Sequence, residues 1–277
     1  METQKVWYVT GASKGLGLSL VKKLLDEGYR VAATSRNLKQ LIEAVDVDSV
    51  NFLPLEVDLT NEDSVKESLE KTERIFRSID VVVNNAGYGI GGTIEALTDE
   101  ETRTNFDVNV FGTLNVIRQV MPYLRGQQSG HIINISSIAG FAGGTGWSVY
   151  SASKFAIVGL SEVLAEDVRE FGIKVSVIMP GAFRTSFLTA DSLTYAAKEI
   201  DAYKAVTESH ARYKNMDGNQ IGDPDKAADL FIELTKMEHP PLRLFIGSDA
   251  ESRALKKVEI LTRELQDFSS LTVSTDY

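Results

Sequence analysis

Two side chains in the stretch Ser148-Val149-Tyr150-Ser151-Ala152-Ser153-Lys154 have the types for proton chemistry. A free tyrosine keeps its proton up to a pKa of roughly 10, too tightly for transfer at neutral pH, and a nearby cation favours the phenolate. Tyr150 and Lys154 are four residues apart, which in a helix sets them on neighbouring turns of one face. A second stretch, Thr10-Gly11-Ala12-Ser13-Lys14-Gly15-Leu16-Gly17, has the composition of a phosphate cradle. Its glycines allow a tight turn and let backbone amides approach an anion at a helix N-terminus. The spacing is G-x-x-x-G-x-G rather than G-x-G-x-x-G, so the loop depends on its strand-turn-helix setting for meaning.

Those residues need a scaffold, and the sequence supplies a repeating one. Short apolar, β-branched runs predict strands at Lys5 to Val9, Arg30 to Thr34, Asn51 to Val57, Asp80 to Asn84, His131 to Ser136, Ile173 to Met179 and Arg243 to Gly247. Runs such as IDVVVN and KVSVIM are apolar almost throughout, as parallel strands covered on both faces require. Helical patterns lie between them: Leu20, Val21, Leu24 and Leu25 make one apolar face, and Gly28 follows as a stop. This alternation, without a linker, predicts one α/β domain over 1–277: a Rossmann-like doubly wound, seven-stranded parallel sheet flanked by helices. The glycine loop then follows the first strand, and Asp58-Leu59, Asn84-Asn85-Ala86-Gly87, Ser136-Ser137 and Pro180-Gly181 end later strands along one edge, where such sheets bind ligands.

Residues 182–222 are long for a connection and predict a substrate-binding lid. Residues 250–277, with Leu255, Val258, Leu261 and Leu265, predict an amphipathic helix and a polar tail.

Charge and composition exclude several functions. The chain has 277 residues, no cysteine, a net charge of -10 and a pI near 4.9. Thiolate catalysis and zinc-thiolate sites are absent, and the cysteine count suits a reducing cytoplasmic setting. His131, His210 and His239 lack ligand spacing, so no metal is expected. The acidic field opposes nucleic acid and anionic membranes, and no run, METQKVWYV included, has the length of a membrane span or the pattern of a signal peptide. Against that background, Lys14 and Arg36 at the expected cofactor site are informative. The second strand ends Thr34-Ser35-Arg36-Asn37 with no acid before Glu43; an acid there would hold the ribose of NAD, whereas arginine suits the 2′-phosphate of NADP. NADP(H) is therefore expected ahead of NAD(H).

TGASKGLG, NNAG, Asn109 within FDVNVFG, ISS, YSASK and PGAFRT, in that order, make residues 5 to about 185 resemble the single-domain short-chain dehydrogenase/reductases, with Ser137 standing 13 residues before Tyr150 as in that family. The remainder, with GDPDKAADLF and PLRLFIGSDA, is similar to the branch related to 17β-hydroxysteroid dehydrogenases. The resemblance implies carbonyl reduction by NADPH, or the reverse alcohol oxidation. Tyr150 is then the acid, Ser137 a donor to the carbonyl oxygen, Lys154 a ligand of the nicotinamide ribose, and Asn109 the holder of a water beside Lys154. It places Gly11, Ser13, Lys14, Gly15, Leu16 and Gly17 at the phosphates and adenosine ribose, and Ser35 and Arg36 are expected to bind the cofactor as well. Asp58 and Leu59 fall at the adenine, and Asn85, Ala86 and Gly87 along the ribose. Pro180, Gly181, Phe183 and Thr185 fall at the nicotinamide. Tyr88, Phe141, Trp147 and Phe187, together with Ser137, would line a pocket for a small apolar ketone, aldehyde or alcohol. The chain lacks the VDGG-like tail of many tetrameric members; a homodimer stays open. Two other readings use the same motifs: an NADP-binding sensor without turnover, and an epimerase or dehydratase using the Tyr/Lys pair.

Overall fold

The computed structural model describes residues 4–277; the first three residues of the METQKVWYV stretch lie outside them. The elements run β1 (Val6–Val9), α1 (Gly15–Asp26), β2 (Arg30–Ser35), α2 (Leu38–Val45), β3 (Phe52–Glu56), α3 (Glu62–Phe76), β4 (Val81–Asn84) and β5 (Gly89–Gly91). Then come α4 (Asp99–Phe106), α5 (Gly112–Gln127), β6 (Gly130–Ile135), α6 (Ser148–Asp167), β7 (Ile173–Pro180) and β8 (Leu193–Tyr195). Last are α7 (Lys204–Met216), α8 (Pro224–Lys236), β9 (Arg243–Ile246), α9 (Ser248–Asp267) and α10 (Ser269–Val273).

Seven strands form one parallel sheet in the order β3-β2-β1-β4-β6-β7-β9. β1 shows why its sequence is apolar throughout. Trp7 and Val9 enter a core with Leu20, Leu24 and Phe231, while Val6 and Tyr8 enter another with Leu69, Val116 and Ile132. Alternate residues point to opposite faces, so α1, α2 and α8 cover one side, and α3 and α5 the other. The strand order reverses between β1 and β4, where two crossovers leave in opposite directions and a crevice opens above their C-terminal ends.

Three features depart from the sequence reading. Gly89–Gly91 and Leu193–Tyr195 pair as a separate two-stranded parallel sheet. The expected lid therefore holds a strand and helix α7, and is tied by backbone bonds to the segment after β4. Between α4 and α5 the chain makes one π-helical turn, Asp107–Phe111, a distortion that recurs at functional sites. Finally, α9 buries only Ala250 and Ala254. Leu255, Val258, Leu261 and Leu265 are exposed along the helix. Among the described residues no helix is long and apolar enough to cross a membrane.

Candidate active site

The chain ends its first strand with a turn that glycine alone fits. Gly11 and Gly15 adopt φ of 65° and 60°, and a Cβ on Gly11 would stand 2.7 Å from the Cα of Ala86. Gly17 is needed for packing: its Cβ would meet the Gly11 carbonyl at 2.6 Å and Asn85 Nδ2 at 2.5 Å. Asn85 staples the two loops, donating through Nδ2 to the carbonyls of Thr10 (2.9 Å) and Gly11 (3.0 Å). Thr10 Oγ1 accepts from the backbone N–H groups of Asn85 and Ala86. Helix α1 has no side-chain cap and no acid in its first turn, so its leading N–H groups are left for an anion.

Above the sheet edge lies a cavity of about 1000 Å³. Gly11, Ser13, Lys14, Gly15, Leu16, Ser35 and Arg36 line it, as do Asp58, Leu59, Asn85, Ala86 and Gly87. Ser137, Tyr150, Lys154, Pro180, Gly181, Phe183 and Thr185 line the same cavity. Tyr88, Trp147 and Phe187 also face it. An uncapped helix start, a side-chain-free cradle and two cations in an acidic chain are the groups a dinucleotide phosphate requires. Lys14 also reaches the 182–222 segment, donating to the Asp191 carbonyl at 2.7 Å. Burial, followed by the neighbouring Arg36, lowers its pKa, while Asp191 acts in the opposite sense.

Three of the expected residues do not line this cavity. Gly17 acts through packing, as above. Asn109, on the π-turn, is fully enclosed: its Oδ1 accepts from the Tyr88 N–H at 3.0 Å, and its Nδ2 donates to the Tyr88 carbonyl at 3.0 Å and to Ser153 Oγ at 3.1 Å. It therefore fixes the end of the Asn85–Tyr88 segment against α6. Phe141 requires a correction. It follows a short turn at Ile138–Gly140 and packs edge-on against Phe245 at 5.1 Å, away from the cavity. Proximity to the ISS motif misled because the turn swings its ring to the far side.

Tyr150 lies in the first turn of α6, almost buried, its ring 6.0 Å from that of Phe187. A buried polar chain places this helix: Asn84 Nδ2 donates to Asn134 Oδ1, Asn134 Nδ2 to Ser161 Oγ, and Ser136 Oγ to the Lys154 carbonyl. Gly140 lets the preceding loop press on α6, since its Cβ would lie 2.6 Å from the Lys154 carbonyl oxygen. Burial pushes the Tyr150 phenol up to about 12, partly offset by a hydrogen bond from Ser137. Lys154 donates to the Ile135 carbonyl at 3.0 Å, and burial lowers its pKa to about 8. The expected dominance of Lys154 over the phenol is thus absent in the free protein, where desolvation outweighs it.

The 182–222 segment and the start of α9 contribute residues that the sequence did not single out for the site. Tyr213 on α7 faces the cavity, packs on Trp147 at 4.8 Å, and adds to the upward push on the Tyr150 phenol. His210 packs on the same indole, and its Nε2 lies 3.0 Å from the Gly146 carbonyl oxygen. Asp249, from the start of α9, also borders the cavity. No local spacing marks these three, because α7 and α9 deliver them from far along the chain.

Comparison with known proteins agrees with this fold. The family model for short chain dehydrogenases matches residues 5–195. Oxidoreductase BOA17 of Botryotinia fuckeliana is 33% identical over 273 residues, covering 98% of this chain and 99% of that protein. The crystal structure of a short-chain dehydrogenase from Streptomyces avermitilis superposes with a TM-score of 0.91 at 33% identity, covering 99% of both chains. The structure of ElxO with NADP bound gives a TM-score of 0.73 at 25% identity, covering 90% of this chain and 99% of that one. The chain belongs to the short-chain dehydrogenase/reductase family of oxidoreductases.

Proposed function

We propose that the protein is an NADPH-dependent carbonyl reductase, working in reverse as a secondary alcohol dehydrogenase, on small apolar ketones, aldehydes or alcohols. One observation carries the reading: Tyr150, Ser137 and Lys154 line the same single cavity as the glycine cradle. When bound, the nicotinamide supplies or accepts the hydride. The chain's residues do the rest. The Ser137 hydroxyl holds the carbonyl oxygen, and Tyr150 gives it a proton. In the free protein burial holds the phenol near 12, so the proton is in place for reduction, and the nearby Lys154 cation offsets part of the cost of its leaving. Lys154, next to the segment that ends at Gly87, binds the nicotinamide ribose. Asn109 holds that segment in register. Trp147, Phe187 and Tyr213 exclude water and favour an apolar substrate.

A nicotinamide cofactor is supported by the family and by NADP in ElxO. The preference for NADP(H) over NAD(H) is inferred from Arg36 and Lys14, with no acid at the end of β2. The cysteine-free, strongly acidic chain fits a cytoplasmic enzyme with no nucleic-acid or membrane partner.

The test is loss of reduced-nicotinamide absorbance with NADPH and NADH over aliphatic, aromatic and steroidal carbonyls, with Tyr150→Phe alongside. Turnover should prefer NADPH and fall about 10²- to 10⁴-fold in the variant, which should still bind NADPH. Wild-type rates in Tyr150→Phe would remove the tyrosine from the mechanism.

A further inference from the structure

The loop after β7, Pro180 to Thr185, borders the cavity where the nicotinamide is expected. It is held at several points. The Gly181 N–H donates to the Ile246 carbonyl at 2.9 Å, the Gly222 N–H to the Ala182 carbonyl at 2.9 Å, and the Arg184 N–H to the Gly222 carbonyl at 2.8 Å. The remaining hold is a side chain: Asp249 Oδ2 accepts from the Ala182 N–H at 2.8 Å.

Two glycines clear the space for that carboxylate. A Cβ on Gly181 would stand 2.1 Å from Asp249 Oδ1 and 2.4 Å from Oδ2, and one on Gly247, at φ of 96°, would stand 2.8 Å from Oδ1. The carboxylate is thus pressed against the Gly181 backbone, and Oδ1 is buried with no hydrogen-bond partner among the described residues. An acid at a helix start gains its favourable interaction with the dipole at the surface and needs no such enclosure. Burying one carboxylate oxygen without a donor is unfavourable, so stability does not account for the arrangement. Its effect is to hold one peptide group in the middle of the cofactor-facing loop.

We propose that Asp249 is a positioning residue, fixing the Gly181-Ala182 backbone so that the nicotinamide end of the cofactor is received facing Tyr150. This rests on the oxidoreductase reading above. The carboxylate touches no reacting atom; it acts through the Ala182 N–H. The start of α9 thereby belongs to the cofactor site, although it lies 68 residues beyond Gly181 in the chain.

The test is binding. Dissociation constants are measured by calorimetry for NADPH and for adenosine 2′,5′-bisphosphate, which has the adenine half and no nicotinamide. Asp249→Ala should weaken NADPH about tenfold, as expected for losing a hydrogen bond to a charged group, and leave the bisphosphate within about twofold. Asp249→Asn, which keeps an acceptor oxygen, should restore NADPH affinity. Asp249→Ser keeps a polar group at the helix start but is too short to reach Ala182; it should give the same split and serves if the alanine variant does not fold. Equal weakening of both ligands, or an unchanged NADPH affinity, overturns the proposal alone. A wild-type protein that binds neither ligand overturns the cofactor reading, and this proposal with it.

Discussion

Replacing Lys154 by methionine is expected to stabilise the fold while ending turnover. The lysine is enclosed at the N-terminal part of α6, and burial lowers its pKa from 10.5 to about 8. That shift corresponds to about 3 kcal/mol against the charged amine in the folded state. The folded pKa lies below the unfolded one, so below pH 8 both states carry the proton and the penalty is full. Between pH 8 and 10.5 the folded protein has released its proton and the unfolded chain has not, so wild-type stability rises with pH across that window. Methionine removes the charge with similar volume, but gives up the hydrogen bond to the Ile135 carbonyl, worth about 1 kcal/mol. The variant should therefore exceed wild type by about 2 kcal/mol at pH 6 and by about zero at pH 10. Urea unfolding of both proteins at pH 6, 8 and 10 measures the difference. A variant less stable at pH 6, or a gap that does not change with pH, would refute the reasoning.

Arg36→Asp should lower kcat/KM for NADPH by about ten- to a hundredfold and raise the relative use of NADH, from loss of a charge-assisted bond to phosphate; an unchanged ratio of the two would place the 2′-phosphate elsewhere. Phe141→Ala should destabilise by about 2–3 kcal/mol in urea, since the ring packs on Phe245, with kcat/KM kept within about twofold. A substrate-specific change in kcat/KM would return Phe141 to the pocket.

All seven strands of the main sheet were legible to within a residue or two, because a strand covered on both faces must be apolar throughout. β5 and β8 were not. Three-residue strands such as Gly89-Ile90-Gly91 carry no pattern, and their pairing depends on a partner about a hundred residues away. The π-turn at Asp107–Phe111 was also invisible, as one extra residue in a helical turn has no compositional signature. Within the site, the glycine loop and Tyr150 could be read because local spacing places them. Tyr213 and Asp249 could not, since their positions are set by how α7 and α9 dock. Phe141 shows the converse error: nearness in sequence to a motif does not decide which side of a turn a ring takes. The phenol pKa depends on enclosure by Phe187 and the lid, which sequence spacing does not report.

The strand order has a consequence for how the chain reaches its folded state. β1 pairs directly with β4, Trp7 opposite Val81, across two complete strand-helix units. The Gly11 and Ala86 loops meet only once this long closure is made, and parallel pairing over such separations is slow. The crevice is thus a late product of folding, absent from a chain in which β1 has paired only with β2. A ligand that binds the crevice binds the finished fold alone, and at a hundred times its Kd adds about 2.7 kcal/mol to stability. Cofactor supply then lowers the fraction of finished chains that reopen to proteolysis, as well as setting how fast the protein turns over substrate.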